Sequence, residues 1–385
     1  MGKRVIVLLV LVATMATTAP VESVSSGGAN VGLMGARYSD VGGGLGARYD
    51  YVVLLDYMHE WAQQIKAEAP ATKVLMYKNV GSTANLGCDS GDYGRVHGGV
   101  GYCEANAEHP EWFLHDHQGA RIEFCDWPGL MMMDVGNHSY QKVWLDNVVT
   151  LARERQFDGV MMDDVNMHPA HCADGRLERY SDDEYRNAVE SFLAHVGPGL
   201  QAHGLIAAPN IAFPYWYDHN LDDLHRWAGY TSGIFREHWT AWSGNGVHFT
   251  DEEWEAQLAI MSAVNRAGKP LLAIAPDWGI ESLRYGRATF MLGWNGDGSA
   301  FFHDSDLESS AARDELTMEI GAPLGDRYKV GVGWRRDFTR GVALVNPSSS
   351  EWQHFSLGRS YRTADGTVVE SIDLAPATGR LLADY

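Results

Sequence analysis

The segment Phe157-Asp-Gly-Val-Met-Met-Asp-Asp-Val165 sets two adjacent carboxylates at the end of an apolar run. A strand buried on both faces reads as a continuous apolar stretch, so acids at its C-terminal end emerge at the lip of a parallel sheet, where parallel α/β folds bind ligands. Asp164 is equally suited to capping the next helix, but two acids exceed what one cap needs. The residues that end the other strand candidates are Asp56, Lys78, Asp134, Asn210, Glu237, Asp277 and His303. A ring rich in acids suits glycosidic bond cleavage. One carboxylic acid protonates the leaving oxygen, and a second carboxylate attacks the sugar or activates water. Asp163 is the candidate nucleophile or base. Glu237, closing Gly233-Ile-Phe-Arg-Glu237, is the candidate general acid, expected to be kept protonated by the surrounding negative charge; its alternative is a salt bridge to Arg236 or a helix cap. Asp56 and Asp277 precede helices and serve equally as N-caps. Asp134 is placed to bond a sugar hydroxyl or to orient the neighbouring acids. Lys78 would be costly to bury without carboxylates, which the ring supplies. The chemistry calls for no cofactor and no metal.

Aromatic residues give a second signal. Trp216, flanked by Tyr215 and Tyr217, with Trp239, Trp242, Trp278 and Trp294, follows strands or lies in loops on the expected active face, where flat rings stack on sugars. Thirteen tryptophans are more than a core requires, although some must pack the helices.

The elements that position these residues alternate between apolar strands and amphipathic helices. Strand candidates are Tyr51–Leu55, Lys73–Lys78, Leu130–Val135, Asp158–Asp163, Leu205–Asn210, Ser232–Glu237, Leu271–Pro276 and Ser299–His303. Ser181-Asp-Asp-Glu184 and Thr250-Asp-Glu-Glu253 read as capping boxes that open helices. This alternation predicts a (β/α)8 TIM barrel over residues 30–322, of the α/β class. A doubly wound sheet would need a glycine-rich phosphate turn after its first strand, and Leu55-Asp56-Tyr57 has none. Residues 79–129 form an unusually long connection, of the kind that is usually functional. Over residues 325–385, short runs separated by turn signals such as Asp365-Gly366 predict a small C-terminal antiparallel β-sandwich domain.

Residues 1–26 read as a signal peptide and linker: Lys3-Arg4 precedes an apolar run from Val5 to Val12 that is shorter than the roughly 20 residues of a membrane span. A secreted chain without membrane insertion is expected. Four cysteines suit an oxidising compartment and allow three pairings; Cys88 with Cys103 and Cys125 with Cys172 is the expected one. A net charge of −20 argues against nucleic acid as a partner, which would need a basic stripe. A carbohydrate substrate fits, and a monomer is expected.

The chain resembles the hypothetical glycosyl hydrolase family 15 of secreted barrels. The resemblance rests on Tyr77-Lys-Asn79, His109-Pro-Glu-Trp-Phe-Leu114, Met133-Asp-Val-Gly-Asn137, Tyr140-Gln141 with Trp144, Phe157 to Asp164, Ala343-Leu-Val-Asn-Pro347 and Leu374-Ala-Pro-Ala-Thr-Gly379. It is also similar to endo-α-1,4-polygalactosaminidase-type barrels. The resemblance implies a (β/α)8 glycosidase with a β-sandwich appendage and a catalytic acid at Asp163. Two alternatives stay open. One is a barrel that binds carbohydrate without cutting it. The other is a metal-dependent deacetylase, because His168-Pro-Ala-His171 follows the Asp pair; those enzymes, however, carry Asp-Asp-Gly and a His-x-x-x-His spacing.

Overall fold

The computed structural model describes residues 29–37, 44–45, 48–88, 94–212, 220–242, 246–275, 279–303 and 310–385. The segment read as a signal peptide lies outside them, as do Trp216, Asp277 and Trp278.

Eight parallel strands close into a barrel: β1 (Asn30–Leu33), β2 (Tyr51–Leu54), β3 (Lys73–Asn79), β6 (Gly159–Asn166), β7 (Ile206–Ala212), β8 (Ile234–Arg236), β9 (Leu271–Ala275) and β10 (Ala300–His303). Between β3 and β6 the chain makes its long excursion, which contains β4 (Ser82–Ala84), β5 (Leu130–Met132), α2 (Gly94–His97) and α3 (Tyr102–Glu108). The main shell helices are α1 (His59–Glu68), α4 (His138–Glu154), α5 (Asp182–Ala202), α6 (Asn220–Ala228), α7 (Asp251–Arg266), α8 (Ile280–Gly293) and α9 (Ser310–Thr317).

One expected strand is corrected. Leu130–Val135 is not a barrel strand, because β5 pairs antiparallel with β4 and its backbone bonds stay within the excursion. Its apolar run mimics a buried strand but packs against the loop. The eighth strand is instead β1, too short and glycine-broken to stand out. Gly32 is required there, since a Cβ would lie 2.4 Å from the Phe302 ring.

The lumen is filled by alternate side chains, including Val53, Leu75, Met161, Ala208, Phe235 and Phe302. Ser181 forms the full capping box with Glu184 at the start of α5, whereas Thr250 makes no side-chain cap on α7. The first turn of α7 is held from the C-terminal region, where Pro347 O accepts from Asp251 N at 2.9 Å.

The C-terminal sheet is antiparallel and six-stranded: β11 (Tyr328–Val330), β12 (Gly333–Phe338), β13 (Gly341–Asn346), β14 (Gln353–Arg362), β15 (Val368–Leu374) and β16 (Thr378–Asp384). β13 is buried on both faces. Val342 and Leu344 join the sheet's own core with Phe355 and Leu382, while Ala343 and Val345 join the barrel's. Arg336 Nη1 donates to Leu292 O at 3.1 Å, satisfying the carbonyl end of α8.

Candidate active site

Four barrel strands in succession put a polar residue at the inward position just above the lumen core. Leu75 is followed two residues on by Tyr77, Met161 by Asp163, Ala208 by Asn210 and Phe235 by Glu237. Side chains alternate along a strand, so these four face the mouth of the barrel together. Tyr77 Oη donates to Asp163 Oδ2 at 2.6 Å. Asn210 Nδ2 donates to Asp163 Oδ1 at 2.9 Å and to Glu237 Oε2 at 3.0 Å. Glu237 N donates back to Asn210 Oδ1 at 3.0 Å, which fixes the orientation of the amide. Tyr77 carries no charge and does not end its strand, so a reading by strand ends passes over it; alternation from Leu75 identifies it.

A bulge produces this geometry. Met162 pairs with Pro209 and Val165 with Ile211, so Asp163 and Asp164 together stand opposite Asn210. Asp164 has φ 56°, a left-handed conformation that aspartate tolerates better than most residues. Asp163 therefore turns to the lumen, and Asp164 turns away to Asn79 and His171. Asp164 serves as no helix cap.

Electrostatics divides the pair. Burial, Asp164 and Glu237 push Asp163 up to about 7 against the opposing hydrogen bonds from Tyr77 and Asn210. Burial also pushes Asp164 upward, but the hydrogen bond and charge of His171, with help from Asn79 and His97, outweigh it and hold Asp164 below the usual range. The proton affinity of Asp163 is thereby raised. Arg236 faces the opposite way from Glu237, donating to Gln257 on α7 at 3.2 Å.

Other residues expected in the ring lie elsewhere. Lys78 faces the helical shell. Its ammonium donates to Asp56 Oδ2 at 2.8 Å, to Val96 O at 3.0 Å and to Arg95 O, and Arg155 contacts the other Asp56 oxygen at 3.2 Å. Burial lowers the Lys78 pKa, opposed by Asp56. Asp134, off the barrel, accepts from Arg179 at 2.6 Å and Tyr180 at 2.7 Å. Trp239 is corrected as a sugar-stacking residue, because it is fully buried against α8 with Nε1 donating to Gly286 O at 3.1 Å. Trp294 is buried as well, and Trp242 is half-buried. His303 ends β10 in register with Ala275.

The histidines that suggested a metal separate. His171 lies between Asp164 and Asp126, while His168 lies 3.1 Å from the Arg186 guanidinium. Among the described residues, no group of three or more His, Cys, Asp or Glu is arranged to hold a metal ion. The disulfides join Cys88 to Cys103 and Cys125 to Cys172, the expected pairing, which fits an oxidising compartment. Among the described residues, no helix is long and apolar enough to cross a membrane.

Residues 66–342 match hypothetical glycosyl hydrolase family 15. The chain belongs to that family. It is a glycoside hydrolase by membership, and several of the family-like motifs noted above brace this site. Tyr140 Oη donates to Val80 O at 2.8 Å and Trp144 Nε1 to Asn79 O at 3.1 Å, securing the backbone where β3 delivers Tyr77. Asn137 caps α4 by accepting from Ser139 N. A search of curated proteins found no match. Among solved structures, the chain is similar to an α-amylase from Malbranchea cinnamomea, with 9% identity, TM-score 0.48 and coverage of 88% of this chain and 86% of that one. It is also similar to Aspergillus fumigatus Ega3 in complex with galactosamine, with 14% identity, TM-score 0.41 and coverage of 73% and 92%. An α-amylase from Geobacillus thermoleovorans complexed with acarbose gives 10% identity, TM-score 0.47 and 88% coverage of both chains.

Proposed function

We propose that this protein is a secreted, retaining glycoside hydrolase acting on a poly- or oligosaccharide, with Asp163 as nucleophile and Glu237 as acid/base. The observation that carries this reading is the shared Asn210 amide. Two oxygens bonded to one Nδ2 at 2.9 and 3.0 Å lie within about 6 Å of each other. That upper bound falls short of the roughly 6.5–9.5 Å that inverting pairs need for a water between them and is compatible with the about 5 Å of retaining enzymes.

Asp163 is assigned as nucleophile because both its oxygens accept hydrogen bonds, from Tyr77 and Asn210, which pull against burial toward the ionised form and leave it ionised above about pH 7. In the first step an Asp163 oxygen bonds to the anomeric carbon, the glycosidic C–O bond breaks, and Glu237 gives its proton to the leaving oxygen. In the second step Glu237 takes a proton from water, the water oxygen bonds to the anomeric carbon, and the Asp163–sugar bond breaks. Asn210 contacts both acids and holds their spacing. Trp127, exposed on the excursion beside Asp126, offers a face for stacking a sugar ring.

The test is reducing-end release from a panel of microbial and plant polysaccharides by wild type, Asp163→Asn and Glu237→Gln, each with and without EDTA. Cleavage by wild type alone, indifferent to EDTA, supports the assignment. Binding of a glycan by all three proteins with no cleavage would move the reading to a carbohydrate-binding barrel.

A further inference from the structure

Behind the carboxylate pair runs a second chain of polar groups. His171 Nδ1 lies 2.9 and 3.0 Å from the two oxygens of Asp126, and Nε2 lies 3.0 Å from Asp164 Oδ1. Ionised carboxylates only accept, so a ring between two of them donates from both nitrogens and is an imidazolium. Burial opposes that charge, but Asp164 and Asp126 overcome it and push His171 up to about 9.

The dyad is held from several directions. The His171 ring stacks on Phe124 with centroids 3.9 Å apart. The Cys125–Cys172 disulfide joins the residue before Asp126 to the residue after His171. His171 and Cys172 have φ of 56° and 66°, conformations that persist only where the surroundings enforce them.

We propose that Asp126 and His171 form a charged positioning dyad that fixes Asp164 behind Asp163 and partly neutralises the carboxylate cluster, so that the nucleophile gives up its proton near neutral pH and not above it. The proposal rests on the reading of Asp163 given above. Of the other ionisable groups around this cluster, the buried Tyr185 phenol, which feels Asp164, is pushed up by burial and stays neutral. His97, at the end of α2, is driven down to about 4 by burial and by Lys78 against the opposing pull of Asp164, so it brings no positive charge at neutral pH. Tyr77, Asp164 and Glu237 face Asp163 itself. The cation beside Asp164 is thus His171.

The experiment is an NMR titration of the protein carrying 13Cγ-labelled aspartate, with the Asp163 signal identified by its loss in Asp163→Asn. It needs no substrate, so absence of hydrolysis would overturn the proposed function and still leave this question decided. His171→Gln keeps a donor but removes the charge; His171→Arg keeps the charge; Asp126→Asn loosens the dyad with less disturbance of the fold. The Asp163 midpoint is expected to rise by about one pH unit in His171→Gln, roughly tenfold in proton affinity. It should rise by less in Asp126→Asn and stay near wild type in His171→Arg. An unchanged midpoint in both His171→Gln and Asp126→Asn, or an equal rise in His171→Gln and His171→Arg, would overturn the proposal.

Discussion

Asp163 and Glu237 share one hydrogen-bond donor. The Asn210 amide reaches both, at 2.9 and 3.0 Å, and accepts from the Glu237 backbone at 3.0 Å. Asn210→Ala removes the bracket that spaces the carboxylates. Because misplacement by about 1 Å costs on the order of 100-fold in rate, kcat is expected to fall by about that factor with little change in KM. Steady-state kinetics on any glycan that wild type cleaves checks this; an unchanged kcat would remove Asn210 from the machinery.

The raised proton affinity of Asp163 has consequences for both rate and stability. A nucleophile must be ionised, so the acid limb of kcat/KM should lie at about pH 7, and the profile should fall again on the alkaline side where the general acid loses the proton it gives. The folded-state pKa lies above that of an unfolded aspartate, so the folded protein binds the proton more tightly. This contribution to stability is complete below the unfolded value and is lost as pH rises through about 7. Asp163→Asn should therefore raise Tm relative to wild type at pH about 8 and not at pH about 4. Equal Tm differences at both values would contradict the shift.

Tyr77→Phe deletes a hydrogen bond that favours ionised Asp163. The acid limb of kcat/KM should move to higher pH, with a loss of about tenfold at neutral pH and little change at alkaline pH. A uniform loss at every pH would assign Tyr77 to packing.

Lys78 and Asp56 belong to stability. Lys78 is fully buried, and Asp56 nearly so. Lys78→Met leaves a buried carboxylate with only Arg155, so unfolding free energy measured in denaturant should drop by about 3–5 kcal/mol. Adding Asp56→Leu should recover much of that loss, because the uncompensated charge then disappears.

Trp127→Ala should raise KM with kcat unchanged. Aromatic contacts of this kind contribute about 0.5–1.5 kcal/mol, roughly two- to tenfold in KM. A fall in kcat at constant KM would contradict a stacking role.

Much of this arrangement was legible in the sequence, and the failures share a cause. Asp163, Asn210 and Glu237 are brought together as read because each lies two residues beyond an inward apolar residue, Met161, Ala208 and Phe235. Lys78 does not face the pocket, because Leu75 sets the inward parity of its strand and gives that position to Tyr77. The opposite headings of Asp163 and Asp164 depend on a bulge against Asn210, a backbone event that no residue type announces. The Asp126–His171 dyad joins residues 45 apart in sequence through a disulfide-tied excursion, beyond the reach of any local pattern. Strand β1 was hidden by Gly32, and its place was given to the equally apolar Leu130–Val135.

The most direct test of the account is the anomeric configuration of the first product formed from a cleaved glycan, followed by proton NMR before mutarotation. With one oxygen of each acid bonded to the same amide nitrogen, too close for an inverting pair, the product should keep the configuration of the bond that was cut. An inverted first product would contradict Asp163 as nucleophile and, with it, the central claim.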